Sequence, residues 1–390
     1  MTIMKKMMAL IIAGFIAMAH ISCIATVQPL EREPVNEAFS SESDEAGEVV
    51  PESESNLIAY CGLIDVSFFF EVVKEGIRQS ALEEGYEFVW SNANQKFLAQ
   101  KKQYEAFIEM SPKAILIDTV DSEGIADLLK QAKQAGIATA AVDTPVTNGS
   151  VDISVRLDDQ QAGALCAQTI VEKLIEKYGE PRGTVVNIYG RQNSEGCRLC
   201  KQGFDQVMAN YPKIECIYAY GTTPKEAMES MGEVISQPDI KIDAINAYSD
   251  SMMTKVVELL KEQELWKTGQ EKGHIIIVTI DGDYMALEYI REGYYDATVG
   301  QDAAAFGEIA MEMLENYIFQ GKEIPLGEYV NERYVWETCN IVDSASGPMV
   351  LIPGYLITKD TVEDERHWVN RAINEWNLLY RAEKYENNNR

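Results

Sequence analysis

The chain has 390 residues, of which 46% are hydrophobic and 25% are charged, and its formal net charge is −28. Residues 57–390 are too many for one hydrophobic core and suit two lobes of ordinary size. A polyanion of this kind repels phosphate backbones and anionic lipid headgroups, which excludes nucleic acid as a partner and makes membrane surfaces poor ones.

The first 22 residues have the pattern of a signal peptide. Lys5 and Lys6 precede an apolar run at 7–19, which is too short to span a bilayer, and small residues lead to Cys23. Ser22 before Cys23 resembles a bacterial lipoprotein processing site, although His20 stands where an aliphatic residue is usual. We therefore expect an exported cell-envelope lipoprotein with lipid on Cys23; ordinary secretion with an incidental cysteine is the alternative.

Residues 23–56 form a predicted disordered linker behind the anchor. Their acidic, Ser-rich and aromatic-poor composition cannot bury enough apolar surface to fold. Because no later segment is apolar enough to span a membrane, the lipid anchor is the only predicted membrane attachment.

From residue 57 short apolar runs alternate with amphipathic stretches, which is typical of βα units. The first block predicts strands at 57–64, 87–90, 114–117 and 138–142, and helices at 69–84, 99–110 and 122–135. Gly85 and Gly136 fall where helix C-caps are expected.

A second block of the same kind follows a polar stretch at 147–150. It predicts helices at 159–178, 195–210, 225–236, 252–262, 284–292 and 303–320, and strands at 184–188, 214–220, 243–246, 274–280 and 297–299. Two such blocks predict an α/β fold of two doubly wound, Rossmann-like lobes with a hinge. Ligands of such sheets bind at the carboxyl ends of the strands, so the two lobes should enclose a cleft there.

The last part of the chain is less regular. Pro353-Gly354 interrupts an apolar run at 350–357, a terminal helix is predicted at 362–380, and the polar end from Glu383 is expected to fray. Residues 334–349, with Trp336 and Cys339, are expected to form an extra loop. The predicted first lobe comprises 57–155 and 301–325, the second comprises 156–300 and 326–358, and 359–390 form the C-terminal helix and tail.

Six cysteines follow Cys23. Cys197 and Cys200 form a CxxC without a second such pair or a nearby histidine, which favours a local disulfide or free thiols over zinc. Cys61 and Cys166 lie in apolar runs and are predicted to belong to the core. No metal or cofactor is expected.

A series of ordered landmarks over residues 57–358 resembles bacterial sugar-binding proteins of the type I periplasmic, ribose-binding kind. They are Ser67 with Phe68–Phe70 after the first strand, Asp118–Ser122 after the third, Asp143 after the fourth, Arg198 five residues before Gly203-Phe204, Ser249-Asp250, Asp281-Gly282 and Gln301. The resemblance implies two lobes joined by three crossings, a monomer that captures a sugar, and delivery to an ABC permease. Departures at Thr144, Thr222, Ser249 and Ile280 argue against assuming ribose.

The same residues suit a neutral polyol in chemical terms. Carboxylates accept hydrogen bonds from hydroxyls, a guanidinium donates up to five, an amide does both, and an aromatic ring covers an apolar C–H face. The predicted ligand-binding residues are Phe69, Phe70, Asp143, Arg198, Asp250, Asp281 and Gln301, followed by Ser67, Thr144, Thr222 and Ser249.

Each candidate also has a purely structural interpretation. The phenylalanines open a helix and could belong to the core, and Asp143 and Asp281 could cap turns. Asp250 could be the N-cap of the helix at 252–262, and Arg198 could pair with Glu195. Gln301 is not distinctive by itself.

Two other functions are consistent with such a body. One is a sugar or signal sensor that presents its closed form to a chemoreceptor or histidine kinase. The other is a glycoside hydrolase that uses Asp250 and Asp281 as its carboxylate pair. Of the histidines outside the leader, His274 opens a strand and His367 lies in the terminal helix, and nucleotide-binding glycine motifs are missing. We therefore expect a binding protein rather than an enzyme.

Overall fold

The computed structural model describes residues 55–64, 67–192 and 194–389, without the side chains of 386–389. The predicted signal peptide, Cys23 and nearly all of the linker lie outside these residues.

Strands and helices alternate over residues 57–142 and 153–316, largely as the apolar pattern predicts. In chain order the strands are β1 (Leu57–Gly62), β2 (Glu87–Asn92), β3 (Ala114–Ile117), β4 (Ala138–Val142), β5 (Ile153–Leu157), β6 (Gly183–Tyr189), β7 (Ile214–Tyr220), β8 (Ala244–Ala247), β9 (Ile276–Asp281), β10 (Ala297–Gly300), β11 (Gly327–Val330), β12 (Thr338–Val342), β13 (Met349–Ile352) and β14 (Tyr355–Thr358). The helices are α1 (Phe68–Glu83), α2 (Phe97–Glu109), α3 (Ala126–Gln134), α4 (Asp159–Tyr178), α5 (Glu195–Met208), α6 (Pro224–Ile235), α7 (Asp250–Glu262), α8 (Tyr284–Glu292), α9 (Ala303–Asn316), α10 (Trp368–Trp376) and α11 (Leu379–Asn389).

These elements build two sheets, one for each lobe, which confirms the predicted α/β class. The first sheet has the order β11-β12-β13-β5-β4-β3-β1-β2, and the second has the order β14-β10-β9-β8-β6-β7. Strands β1 to β5 are parallel within the first sheet, and β6 to β10 are parallel within the second.

One part of the predicted lobe assignment is wrong. β13 pairs in parallel with β5, and β12 and β11 follow it, so residues 327–352 belong to the first sheet and not the second. Only β14 joins the second sheet, where it runs antiparallel to β10. Strand β5 pairs with β4 on one side and with β13 on the other, and this second pairing places β13 in the first sheet. The apolar pattern of the sequence does not show which strands pair.

The first sheet is covered on both faces, because the side chains of a strand point alternately to opposite sides. Ile58 and Tyr60 of β1 join the core under α1 and α9, whereas Ala59 and Cys61 join a second core under α2 and α3. Burial on both faces explains the apolar runs that made most of these strands predictable. The predicted C-caps at Gly85 and Gly136 have φ of 83° and 72°, as a left-handed helix end requires.

The chain crosses between the lobes three times, as the resemblance implied. It leaves the first sheet after β5, returns between β10 and α9, which packs against α1, and leaves again between β13 and β14. Gln161 near the start of α4 holds the first and third crossings together. Its amide oxygen accepts from the Gly354 backbone N–H at 2.8 Å, and its Nε2 donates to the Gly354 carbonyl at 3.2 Å.

The C-terminal segment differs from the predicted single helix and frayed tail. Asn377, at a left-handed φ of 55°, separates α10 from α11, and α11 continues through the polar residues to Asn389. Trp336 of the predicted extra loop is buried against Tyr334 and donates from Nε1 to Asp302 Oδ2 at 3.2 Å. Within the described residues, no helix combines the length and apolar character needed to cross a membrane.

Candidate functional site

A cavity of about 560 Å³ lies where the two lobes face each other. Its walls come from the carboxyl ends of strands in both sheets and from the helices that follow them. Its size falls in the range of pockets that enclose small organic ligands.

The structure brings ten of the eleven predicted site residues to this cavity. They are Ser67, Phe69, Phe70, Asp143, Thr144, Thr222, Ser249, Asp250, Asp281 and Gln301. Residues from distant parts of the chain meet here because the parallel strands of each sheet all end on the cleft side. Contact of these residues with a ligand remains a prediction.

Arg198 is the exception, and its predicted position in the cleft is wrong. The residue lies on α5 with an exposed side chain, whereas Gly196, Cys197 and Cys200 of the same helix line the cavity. Successive helix residues are separated by about 100°, so Arg198 faces away from the side that carries these three. Glu195, its predicted partner on the same helix, pairs instead with Arg156.

Arg156 supplies the buried guanidinium that the sequence analysis assigned to Arg198. Its side chain lies at the end of β5, is 5% exposed and lines the cavity. Nη2 lies 2.5 Å from Asp159 Oδ2 and Nη1 lies 3.4 Å from Glu195 Oε2, at the starts of α4 and α5. Within the described part of the chain, its buried Nε has no hydrogen-bond partner. The cavity wall therefore carries a charged donor that is held between two carboxylates, while its Nε is enclosed by protein.

Asp250, which is fully buried, and the half-buried Asp281 form a carboxylate pair near the ends of β8 and β9. Asp281 Oδ2 accepts from Ser249 Oγ at 2.7 Å and from the Asp250 backbone N–H at 3.1 Å. Asp250 Oδ2 accepts from the Asp283 backbone N–H at 2.8 Å, which fixes the loop after β9. The N-cap of α7 is Ser249, whose side chain accepts from the Ser251 N–H, so Asp250 does not act as the cap.

Asp143 and Gln301 connect the two lobes. Gln301 Nε2, after β10, donates to Asp143 Oδ1, after β4, at 2.7 Å. The Gln301 backbone N–H also donates to the Asp281 carbonyl at 2.9 Å. Asp143 and Asp281 have φ of 61° and 117°, a region that residues other than glycine seldom adopt. Such strain persists only where the surroundings impose it, and it concentrates at functional sites.

The aromatic residues divide into core and cavity wall. Phe69 is 6% exposed and packs edge-on against Phe306 and Trp368, so most of its surface belongs to the core. Phe70 packs edge-on against Phe69 and is half-buried along the cavity. Tyr248 and Tyr284, which the sequence analysis did not propose, line the second lobe.

Burial dominates the electrostatics of the site. It raises the pKa of Asp143 to about 7; the charge of Asp159 adds to this effect and Arg156 opposes it. Burial likewise raises the pKa of Asp250 to about 7, and that of Asp281 well above its usual range, with the charge of Asp250 adding to the latter. Near neutral pH these carboxyl groups can therefore accept hydrogen bonds when ionised and donate them when protonated.

These raised pKa values predict that the folded state weakens as pH rises. Between about pH 4, where unfolded aspartates ionise, and about pH 7, the folded protein keeps protons on Asp143 and Asp250 that the unfolded chain has lost. Their contribution to stability is thus present below the unfolded pKa and disappears as pH passes the folded pKa. The free energy of unfolding, measured by urea titration, should fall across this window.

Asp143→Asn should make that fall shallower, because the amide cannot titrate yet can still accept from Gln301. Asp239→Asn, on the exposed surface, is the matched control and should leave the slope unchanged. Equal slopes for wild type and Asp143→Asn would contradict the assignment.

Cys197 and Cys200 of the CxxC sequence both line the cavity as free thiols and are not joined by a disulfide. Burial raises the pKa of both the Cys197 and the Cys200 thiols, so neither is activated as a nucleophile. Among the side chains that the structure describes, no group of three or more His, Cys, Asp or Glu is arranged to hold a metal ion.

Comparisons with known proteins agree on the family. The model of the periplasmic binding protein domain matches residues 63–323. The xylitol-binding protein of Mycolicibacterium smegmatis is 29% identical over 65% of this chain and 69% of its own length. The D-apiose import binding protein of Actinobacillus succinogenes is 25% identical over 65% of this chain and 79% of its own.

Solved structures show the same fold. A carbohydrate transporter solute-binding protein from Agrobacterium radiobacter, in complex with D-arabinose, superposes with a TM-score of 0.67 at 16% identity, covering 83% of this chain and 99% of that one. The binding protein of the arabinose ABC transporter from Shewanella gives a TM-score of 0.66 at 22% identity, covering 85% and 98%.

The family is one of solute-binding proteins, and the relatives are named as binding proteins, which confirms the expectation that the chain is not an enzyme. Matched over most of its folded body, and built on the type I fold of two doubly wound lobes, this chain belongs to the periplasmic binding protein domain family.

Proposed function

We propose that this protein captures a monosaccharide or related polyol between its two lobes and delivers it to the permease of an ABC importer. The observation that carries the proposal is the cavity between the lobes, whose carboxyl, guanidinium and amide groups come from both. Relatives named for xylitol, D-apiose and ribose support the ligand class.

The polar groups suit a neutral ligand with many hydroxyls. Asp143 and Asp281 offer acceptors, Arg156 offers guanidinium N–H donors, and the half-buried ring of Phe70 can cover the C–H face of a sugar ring. Binding would then replace water in the cavity with a ligand whose hydroxyl and C–H groups both find partners.

Contact with both lobes explains how binding would be signalled to a permease. Over the residues that the structure describes, the backbone passes between the two sheets at three crossings, and the lobes can rotate about these. A ligand that touches Asp143 of one lobe and Asp281 of the other binds the closed form better and shifts the population toward it. We propose that the permease recognises this closed form.

The location follows from the same proposal. Membership of a periplasmic binding protein family supports export, and Cys23 at the end of the leader supports a lipid anchor. The acidic linker would then hold a monomeric body away from an anionic membrane surface.

A thermal-unfolding screen tests the proposed ligand class. The protein is unfolded and refolded to remove any carried-over ligand and is then heated with xylitol, D-ribose, D-xylose, D-apiose, D-arabinose and myo-inositol. A true ligand at a hundredfold excess over its dissociation constant should add about 2.7 kcal/mol to the free energy of unfolding, which raises the melting temperature. No shift with any monosaccharide or polyol would contradict the proposal.

A further inference from the structure

The C-terminal helix α11 reaches the proposed ligand cavity. Ala382, which is 1% exposed, and the half-buried Tyr385 both line it. The helix also contacts α1 of the first lobe and α8 of the second. It therefore forms a third wall that belongs to neither sheet.

An ion pair attaches α11 to the first lobe, and aromatic contacts attach α10, the helix before it. On α11, the guanidinium of Arg381 forms an ion pair with the buried carboxylate of Glu71 on α1. On α10, the indole of Trp368 is fully buried and packs against Phe68 and Phe69, with ring centroids 5.9 and 6.0 Å apart.

Trp368 also connects the segment to the second lobe. Its Nε1 donates to the backbone carbonyl of Asp281 at 2.8 Å, the residue whose side chain lines the cavity. The C-terminal segment is thus attached to the first lobe through its aromatic and charged contacts and to the second through a site residue. Movement of the lobes relative to one another must alter at least one of these attachments.

We propose that α11 is part of the ligand site and that Tyr385 is a specificity-determining residue for the sugar or polyol. This inference rests on the proposed function. A phenol ring offers an apolar face for C–H groups, and its hydroxyl can donate or accept a hydrogen bond. Because α11 spans the lobes, a ligand that contacts Tyr385 also strengthens the link between them, which favours the closed form.

A matched pair of tyrosine variants tests the role of the side chain. Tyr380, on the same helix, is 77% exposed and does not line the cavity, so Tyr380→Ala controls for loss of a helical tyrosine. Calorimetric titration with xylitol, D-ribose, D-xylose and D-apiose should show roughly tenfold weaker binding for Tyr385→Ala. Tyr380→Ala should bind like the wild type, and Tyr385→Phe will show how much of the loss belongs to the hydroxyl. Wild-type affinity in Tyr385→Ala would overturn the proposal.

A second experiment needs no ligand and so separates this inference from the proposed function. A chain that ends at Leu378 lacks α11, and a chain that ends at Tyr385 retains both lining residues. Labelling by N-ethylmaleimide, followed by peptide mass spectrometry, measures access to Cys197 on the cavity wall. Cys216 on β7, half-buried but outside the cavity, is the internal reference.

Loss of α11 should speed the labelling of Cys197 several-fold while the rate at Cys216 stays the same. Equal Cys197 rates in the two truncated chains would overturn the role of α11 as a wall. If none of the four probes binds the wild type, the proposed function fails, and the labelling rates still decide whether α11 closes the cavity. If the shorter chain does not fold, the tyrosine variants decide.

Discussion

Arg156→Met is expected to lower the free energy of unfolding by about 3 kcal/mol, the lower end for breaking a buried ion pair, because it removes a buried cation from carboxylates that are partly exposed. Asp159 would lose the guanidinium that lies 2.5 Å from its Oδ2, and the half-buried Asp143 would lose the nearby positive charge that favours its ionised form. The same variant removes a guanidinium from the cavity wall, so sugar binding should weaken as well.

Arg198→Met is the matched control, since the exchange is identical but the side chain is exposed and outside the cavity. Urea unfolding and calorimetric titration should show little change in this variant. If Arg198→Met weakens binding while Arg156→Met does not, the placement of the two arginines is contradicted.

Gly203→Ala should lower the free energy of unfolding by about 3 kcal/mol, the upper end for overpacking a tight core. An added Cβ at this position would lie 1.9 Å from the Gln160 carbonyl oxygen of α4, and the reciprocal position Gly163 is as tight against Cys200. This steric clash is relieved only if α4 and α5 move apart. Because these helices carry Asp159 and Cys197 to the cavity, the site should be distorted too.

Gly232→Ala in α6 is the control for this substitution. The nearest atom to its added Cβ is Leu259 Cδ2 at 3.9 Å, so alanine fits without displacing the backbone. Since alanine is the better helix former, this variant should gain about 0.5–1 kcal/mol. Urea titration of both variants measures the difference, and equal stability of the two proteins would refute the close contact between α4 and α5.

Local sequence predicted the strands that are mostly apolar. The bounds predicted for β3 and β4 match the structure, because both strands are buried on two faces and Thr139 is the single polar residue within them. β5 was missed, since Ser154 and Arg156 interrupt its apolar pattern. Arg156 is tolerated there only because Asp159 and Glu195, from the other lobe, neutralise it.

The site residues were predicted correctly where they lie at strand ends and incorrectly where the residue lies on a helix. Asp143 directly follows β4, Asp281 ends β9 and Asp250 lies shortly after β8, so the direction of parallel strands suffices to place them at the cleft. Arg198 lies on a helix, where its distance from Gly203 does not show which way it faces. A charged residue inside an otherwise apolar run, as at Arg156, was the signal that could have identified the buried guanidinium.

Pairing between distant segments could not be predicted from local pattern at all. β11 to β13 join the first sheet through the edge of β5, and α11 completes the cavity wall although its composition is polar. Both placements depend on contacts between residues nearly 200 or more positions apart. The hydrophobic pattern within a segment does not show which distant segment it contacts.

Calorimetric titration of the ligand-free protein, with the sugar or polyol that most raises its melting temperature, is the most direct test of the central claim. We predict saturable binding with a stoichiometry near one, because one cavity between the lobes carries the proposed site. Arg156→Met and Asp281→Asn should weaken it, whereas Arg198→Met should not. Absence of heat and of thermal stabilisation across the sugars and polyols, in a protein that unfolds cooperatively, would contradict the assignment of this cavity to sugar capture.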